Sequence, residues 1–240
     1  MLKHFKKFSD YINSFRPKPF EFKDIVKDKA LSLDSGAQIL EVGCNIRPIL
    51  TKSSRYSLDG LDPDEDIDLS VAKEKFDQFY LSTIEVLETD KKYDFIVMNM
   101  VLEHLPDNHI TFDVLRKHLT ENGEIYAFQP SNLHPFSILN QIFSDSFKVR
   151  ILKLLRPWSK VGEITGWKSY YHKCNIISLK RLLKKHKLTV SDSKFGFNAA
   201  DYFAFFPPLF LLIVLYEEII KLLKLNVLCA NFFVVIRHDY

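Results

Sequence analysis

Ile39-Leu-Glu-Val-Gly-Cys-Asn45 is the stretch of sequence that decides the fold. The run Gln38–Val42 has the length and apolar character of a buried strand, and it leads directly into Gly43. A glycine at this point allows the backbone to turn sharply and lets a ligand approach it closely. Asp62 follows Gly43 by nineteen residues, at the end of a second predicted strand, Tyr56–Leu61. A carboxylate at about this spacing reaches the ribose hydroxyls of a bound nucleoside, so the two features together favour nucleoside binding.

Short apolar runs alternate with helical segments on both sides of this turn. Helices are predicted at Ile110–Leu119 and at residues 176–187, and Asn122-Gly123 is predicted to turn the chain into the fifth strand. The remaining predicted strands are Phe79–Leu81, Asp94–Met98, Glu124–Phe128, Leu188–Ser193 and Ala230–Arg237. This pattern predicts an α/β fold, a Rossmann-like, mostly parallel seven-stranded sheet with helices on both faces. Such sheets bind ligands at the carboxyl ends of their strands.

The flanking segments suggest how the chain is organised. Residues 1–34 are predicted to be a basic, amphipathic helical leader, and residues 35–240 the α/β domain. Within that domain we expect an acceptor-side insertion at 129–175, after strand five, and an apolar helical insertion at 198–226, between strands six and seven. The leader has one apolar helical face, formed by Phe5, Phe8, Ile12 and Phe15. Packing across the domain, covering the active site and docking on a membrane surface all remain open for it.

Composition excludes several classes of protein. The 33 basic and 30 acidic residues give a net charge of +3, without the clustered basic face that is typical of nucleic-acid binding. The three cysteines, Cys44, Cys174 and Cys229, are widely spaced, which argues against a disulfide framework or a zinc site. The first residues contain no apolar run of signal-peptide length, so we expect a cytoplasmic protein.

A second motif, Tyr93-Asp-Phe-Ile-Val-Met-Asn-Met-Val-Leu-Glu-His-Leu-Pro-Asp107, places polar side chains after a buried strand, where a cleft should open. Three other segments accompany it in order along residues 39–128: Glu41-Val-Gly-Cys44, Gly60-Leu-Asp62 and Leu119-Thr-Glu-Asn-Gly123. With these four matches the chain resembles the class I methyltransferases that use S-adenosylmethionine (SAM), particularly those acting on quinones and sugars. The Leu-Glu-His segment is the most specific of the four.

The resemblance implies SAM as cofactor and S-adenosylhomocysteine (SAH) as product. It implies that Gly43 and its neighbours cradle the methionine part and that Asp62 binds the ribose hydroxyls. Asn99 and Met100 would lie near the methyl donor. The full set of cofactor-binding residues implied in this way is Glu41, Gly43, Cys44, Asn45, Asp62, Pro63, Ser82, Thr83, Ile84, Asn99 and Met100.

The chain departs from the family pattern at two places. Asn45 replaces the second glycine of the turn, and asparagine tolerates a left-handed backbone better than most residues. Arg47 follows, either as a partner of the SAM carboxylate or as a surface residue. The quinone relatives hold a metal with two glutamates and a histidine, but here Met100 stands at the first position and leaves only Glu103 and His104. Two ligands are too few for a magnesium site, so we predict no metal.

Methyl transfer to a hydroxyl requires a group that accepts a proton. His104 is the leading candidate for this base, and His134, which follows strand five, is the second. A structural role is an equal alternative for His104. We expect O-methylation of a small molecule, a sugar or a lipid-linked glycan. The alternatives are a degenerate methyltransferase-like binding protein without catalysis and, less favoured because glycines are missing from the turn, an NAD-dependent dehydrogenase.

Tyr202–Tyr216 contains no charged residue. Its fifteen residues are fewer than a helix needs to span a bilayer, and Pro207-Pro208 is expected to interrupt such a helix. A buried helix or a homo-oligomer surface is one interpretation. The other is peripheral contact with the inner face of a membrane through residues 1–16 and 202–224.

Overall fold

Seven strands form one sheet in the computed structural model, which describes residues 2–144, 146–147, 150, 168–204 and 206–240. The strands follow the order β3-β2-β1-β4-β5-β7-β6 across the sheet. Their bounds are β1 (Ala37–Val42), β2 (Tyr56–Asp62), β3 (Gln78–Leu81), β4 (Tyr93–Asn99), β5 (Leu119–Pro130), β6 (Leu188–Gly196) and β7 (Asn231–His238).

The sheet is mixed. Strands β1 to β5 pair in parallel with one another, whereas β7 runs antiparallel to both of its neighbours, β5 and β6. The α/β class and the seven strands predicted from the sequence are confirmed. The direction of β7 was not predicted, because an apolar strand has the same sequence pattern in either direction.

Helices cover both faces of this sheet. They are α1 (Leu2–Asn13), α2 (Phe22–Ser32), α3 (Leu69–Lys75), α4 (Asn108–His118), α5 (Pro135–Ile142), α6 (Ile176–Lys185) and α7 (Pro207–Leu222). Four of them begin at a side chain that accepts a hydrogen bond from the first turn: Asp68 before α3, Asp107 before α4, His134 before α5 and Asn175 before α6. Such caps satisfy backbone amides that have no partner within the helix.

The core consists of two apolar clusters, one on each face of the sheet. Val26 of α2 packs on the face that presents Ile39 and Phe95. Leu115 of α4 and Leu179 of α6 pack on the opposite face. Because neighbouring residues of a strand point to opposite faces, β1 and β4 are apolar along nearly their whole length.

The leader predicted at 1–34 contains two helices. Its first helix, α1, contacts α7 through Phe8, whose ring centroid lies 6.5 Å from that of Phe210. The predicted apolar face does not continue through the leader, since Phe15 follows the end of α1 and is 72% exposed. The second helix, α2, belongs to the core.

Two turn predictions were wrong in detail. Pro207 and Pro208 occupy the first turn of α7, where proline is favourable, and therefore begin this helix instead of interrupting it. Asn122 and Gly123 lie within β5, at the irregular part of its pairing with β4.

Of the insertion predicted at 129–175, positions 145, 148, 149 and 151–167 lie outside the described residues. Within the described ranges, none of the helices combines the length and apolar character needed to cross a bilayer.

Candidate functional site

The register of three neighbouring strands aligns the key positions predicted from the sequence. Val42 at the end of β1 pairs with Leu61 of β2 on one side and with Met98 of β4 on the other. The residues that follow these three therefore lie side by side at the carboxyl edge of the sheet; they are Gly43, Asp62 and Asn99. Since neighbouring strands are about 4.8 Å apart, the three positions span roughly 10 Å, with Gly43 in the middle.

The turn after β1 requires glycine at position 43. Gly43 has a φ of +67°, and a Cβ added there would lie 2.6 Å from Val101 Cγ2 in the loop that follows β4. Its backbone amide donates a hydrogen bond to the Leu61 carbonyl at 2.8 Å. Although it directly follows a buried strand, Gly43 is exposed, so its backbone is open to an approaching ligand. Arg47, further along this loop, is exposed as well.

Asn45 links this turn to the acid at the end of β2. It has a φ of +47°, and its backbone amide donates to Asp62 Oδ2 at 2.7 Å. The other carboxylate oxygen, Asp62 Oδ1, accepts from the Asp64 amide at 3.0 Å. A carboxylate has about four acceptor positions, so each oxygen of Asp62 retains room for a further donor. Pro63, beside it, is half-buried.

The residues predicted near the adenine follow β3. Leu81 pairs with Asp62, and the Ser82 amide donates to the Asp62 carbonyl at 3.1 Å. Ser82 is half-buried and Thr83 is exposed, whereas Ile84 is 1% exposed and belongs to the core. The structure therefore brings Ser82 and Thr83 next to Asp62, with Ile84 packed beneath them.

Glu41 and Cys44 support the turn from below. The Glu41 carboxylate accepts hydrogen bonds from the amides of Ile49, at 2.6 Å, and Leu50, at 3.3 Å. Burial raises the pKa of Glu41 to about 7, against the lowering effect of these two amides. The Cys44 thiol is also buried, 3.8 Å from the Leu61 carbonyl, and burial raises its pKa.

The loop after β4 carries Asn99, Met100 and a short 3-10 turn, Leu102–His104. Asn99 is half-buried, and Met100 is exposed with a φ of +57°. The Glu103 carbonyl accepts hydrogen bonds from the amides of Tyr170, at 2.7 Å, and Tyr171, at 3.0 Å, so this loop is tied to the segment that precedes α6.

The Glu103 side chain is a buried acid. It is 2% exposed, and its Oε2 has no hydrogen-bond partner among the described residues. Burial raises the pKa of Glu103 to about 8. The sequence pattern indicated Glu103 only as a potential metal ligand and gave no sign that this acid is buried. Within the described ranges, no group of three or more His, Cys, Asp or Glu side chains is arranged to hold a metal ion.

His104 has the arrangement of a candidate base. Its Nδ1 lies 3.1 Å from the Lys168 carbonyl, which can only accept, and 3.4 Å from the Ser169 hydroxyl; a neutral ring that donates to the carbonyl carries its proton on Nδ1. The lone pair of the neutral ring is then on Nε2, which lies 3.8 Å from Glu103 Oε1. The side chain is 31% exposed and therefore reachable from solvent.

His134 is placed differently. It caps α5, accepting a hydrogen bond at Nδ1 from the Phe136 amide at 3.2 Å. Its Nε2 therefore carries the proton of the neutral ring, and this atom is buried without a partner among the described residues. Burial lowers the pKa of His134 to about 4. The residue also lines an apolar groove of about 480 Å³ between α5 and α7, with Phe136, Leu139, Leu212 and Tyr216.

A network around Asn132 was not predicted. The Asn132 amide donates to the Cys174 carbonyl at 2.6 Å, and Asn175 Nδ2 donates to Asn132 Oδ1 at 3.0 Å. Tyr171 has a φ of +53°, and its hydroxyl accepts from Asn140 Nδ2 at 3.0 Å. These contacts join the loop after β5 to residues 168–175. They depend on pairs about 40 positions apart in sequence, which no local pattern reveals.

Comparison with known proteins agrees with this geometry. A family model described as a methyltransferase domain matches residues 13–191. A SAM-dependent methyltransferase from Clostridium acetobutylicum is 11% identical with a TM-score of 0.54, over 99% of this chain and 100% of that one. Phosphoethanolamine N-methyltransferase 2 from Haemonchus contortus is 12% identical with a TM-score of 0.54, over 91% of this chain and 52% of that one. At these identities the likeness concerns the fold alone. No curated protein matches the chain significantly.

Proposed function

The chain belongs to the methyltransferase-domain family and is a SAM-dependent methyltransferase, and we propose that it methylates a hydroxyl of a small molecule, a sugar or a lipid-linked glycan. The observation that carries the choice of oxygen is the contact between His104 Nδ1 and the Lys168 carbonyl. A hydroxyl must lose its proton when it is methylated, and a neutral His104 ring that donates at Nδ1 would offer the lone pair of Nε2 in the loop after β4.

The residues at the carboxyl edge fit the cofactor. Asp62 would bind the ribose hydroxyls through its remaining acceptor positions, and Gly43 and its neighbours would hold the methionine part. Pro63 and the Ser82–Ile84 segment would flank the adenine, and Asn99 and Met100 would lie near the reacting methyl. SAM supplies an electrophilic methyl group on its sulfonium, so the protein has to position the acceptor and remove a proton.

His104 would accept the proton of the acceptor hydroxyl at Nε2. The Lys168 carbonyl holds the ring orientation at Nδ1 throughout, since an imidazolium still donates there. An imidazolium at His104 favours the ionised form of the Glu103 carboxyl beside it, because opposite charges attract. Ionisation of Glu103 would then stabilise the imidazolium that forms when His104 takes up the proton.

We assign the role of base to His104 alone. His134 was the second candidate, but its Nδ1 is occupied by the Phe136 amide and its pKa of about 4 makes it a weak base at neutral pH. Its position in the apolar groove suits a role in forming the acceptor side of the site. A groove of this kind, which begins after β5, favours an acceptor with an apolar part.

Two measurements test the proposal in sequence. Calorimetry with SAM and SAH should show binding of both; binding of neither would leave the degenerate methyltransferase-like protein as the better description. Transfer of a radiolabelled methyl group is then followed on hydroxylated small molecules, soluble glycans and lipid extracts. We expect label on an oxygen, in an ether that survives mild alkali. Label on a nitrogen, or undiminished transfer by His104→Ala, would contradict the proposed chemistry.

A further inference from the structure

Helix α7 presents its apolar side to solvent. The exposed side chains of this helix recur at intervals of three and four residues, which places them on one face. They are the apolar residues Pro208, Leu211, Leu212, Leu215, Ile219 and Leu222, together with Glu218, and the apolar run continues into Leu223 and Leu225. Leu212 is 63% and Leu222 81% exposed. A helix on the surface of a globular protein normally has polar residues in these positions.

The protein-facing side of α7 buries one acid, Glu217, between the apolar residues Phe210 and Ile220. Glu217 is completely buried, and its Oε2 lies 2.5 Å from Arg16 Nη2. The other oxygen of Glu217 accepts a hydrogen bond from the Ala199 amide at 2.6 Å. Arg16 also binds the carboxylate of Glu218 at 3.2 Å. The ion pair between Arg16 and Glu217 fixes which side of α7 faces the protein. The leucines on the opposite side of the helix therefore face solvent.

The apolar surface extends beyond α7. The groove of about 480 Å³ joins Leu212, Leu215 and Ile219 to Phe136 and Leu139 of α5. Helix α5 adds the exposed side chains of Ile138 and Ile142. Next to α7, Tyr11 of α1 and the adjoining Phe15 are exposed, 62% and 72%. The groove thus joins apolar residues of α5 and α7 into one surface, and an exposed apolar surface of this kind marks an interaction site.

Exposed lysines occur in the segments that form this surface. Lys7 lies in α1, Lys18 follows Arg16, and Lys224 follows the end of α7. Among the first eighteen residues the sequence has five basic residues, Lys3, Lys6, Lys7, Arg16 and Lys18, against the single acid Asp10. The two glutamates of α7 are both paired with Arg16, and Asp201 accepts a hydrogen bond from Asn13.

We propose that the face formed by α1, α5 and α7 docks on the surface of an anionic lipid bilayer. The apolar side chains would enter the boundary between headgroups and acyl chains, while the lysines contact anionic headgroups. A second copy of this chain fits less well, because two such faces would bring their basic edges together. Docking does not depend on the identity of the methyl acceptor, although it uses the same groove between α5 and α7 that the proposed function gives to the apolar part of that acceptor.

Co-sedimentation with vesicles tests the proposal. The full chain should pellet with vesicles of equal parts phosphatidylglycerol and phosphatidylcholine, and much less with phosphatidylcholine alone. Raising the salt from about 0.1 M to about 1 M shortens the screening length from about 10 Å to about 3 Å and should weaken binding. Failure to pellet with the anionic vesicles would overturn the proposal.

A pair of double variants identifies the surface. Leu212→Gln with Leu215→Gln should weaken vesicle binding by about tenfold or more, because both side chains lose their apolar insertion. Leu31→Gln with Val86→Gln, at positions 62% and 66% exposed and outside this face, should bind like the parent. Equal binding by all three proteins would refute the assigned face.

Two further measurements separate the rival outcomes. Sedimentation velocity should show a monomer without lipid; a dimer that Leu212→Gln with Leu215→Gln dissociates would assign the face to a second copy and overturn docking on a bilayer. Calorimetry with SAH should give the same affinity for the parent and this variant, which shows that the variant is folded. Vesicle binding by a parent protein that does not bind SAH would support docking and contradict only the proposed function.

Discussion

The backbone amide of Asn45 donates a hydrogen bond to Asp62 Oδ2 at 2.7 Å. This bond joins the turn after β1 to the acid at the end of β2, so the two motifs recognised separately in the sequence form one unit. The unit can hold a nucleoside only if the carboxylate stays in place and the turn keeps its left-handed backbone.

Replacing Asp62 by alanine should weaken SAH binding by about 10- to 150-fold. The change removes a charge-assisted hydrogen-bonding group, a loss of about 1.5–3 kcal/mol, and it also frees the Asn45 amide. Calorimetry measures the affinity. The control is Asp66→Ala, at an exposed position in the following loop, which should bind SAH like the parent. Full affinity in Asp62→Ala would mean that the ribose lies elsewhere.

Alanine at Gly43 should destabilise the protein more than alanine at Gly36. Both glycines have positive φ, +67° and +88°, which costs an L-residue about 1–2 kcal/mol. A Cβ added at Gly43 would lie 2.6 Å from Val101 Cγ2. A Cβ added at Gly36 would have no atom within 4 Å. Urea unfolding gives the two free energies. Adding Val101→Ala to Gly43→Ala should relieve the clash; equal losses at the two glycines would contradict this account.

Glu103→Gln should reduce the pH dependence of stability. Burial raises the pKa of Glu103 from 4.5 to about 8, so between these values the folded protein holds a proton that the unfolded chain has released. Stability contributed by this group is therefore present at low pH and is lost as pH rises toward 8, by up to about 1.4 kcal/mol per pH unit. Urea unfolding at pH 5, 6.5 and 8 should show a flatter dependence in the variant. Glu88→Gln, at an exposed position, should behave like the parent.

Arg16→Met should destabilise the protein by about 3–5 kcal/mol, because it leaves the Glu217 carboxylate buried without its cation. Adding Glu217→Gln should restore most of this loss, since the amide is neutral and its oxygen can still accept from Ala199. Glu218→Gln, on a side chain that is 45% exposed, should cost no more than about 1 kcal/mol. Thermal and urea unfolding measure all three. A small effect of Arg16→Met would show that α7 does not depend on this pair.

His104→Ala should lower kcat by about 100- to 10,000-fold on a hydroxyl acceptor and leave SAH affinity unchanged, as expected for the loss of a general base. His134→Ala should instead lower stability by about 1 kcal/mol through loss of the α5 cap. His134→Asn, which retains a capping side chain, should recover that stability. The opposite result, with kcat falling only in the His134 variants, would exchange the roles of the two histidines.

The strands at the centre of the sheet were predictable because burial on both faces makes most of their residues apolar. Strand β1 extends from 37 to 42 and was predicted from 38 to 42. Helix α3 was missed: it has seven residues, begins at the Asp68 cap and buries only Ala72, so its apolar pattern is weak. The direction of β7 was not predictable for a different reason, since an apolar strand has the same sequence pattern in either direction.

Side-chain chemistry was less predictable than the fold. The spacing of Gly43 and Asp62 follows from strand length, and their neighbourhood could be expected from the parallel register. The orientation of the His104 ring depends on its contact with the Lys168 carbonyl, and the loop that carries Glu103 is tied to the amides of Tyr170 and Tyr171. Those contacts are long-range, and local sequence patterns carry no information about them.

The insertion of β7 between β5 and β6 has a consequence for how the chain is made. Strand β6 touches the sheet only through β7, so it has no partner during synthesis until residues 231–238 have also emerged from the ribosome. Until then the β5 edge is left uncovered, and an open edge of this kind can pair with another nascent chain. Slow emergence of the last strand should therefore favour aggregation, and conditions that speed its docking should increase the yield of folded protein.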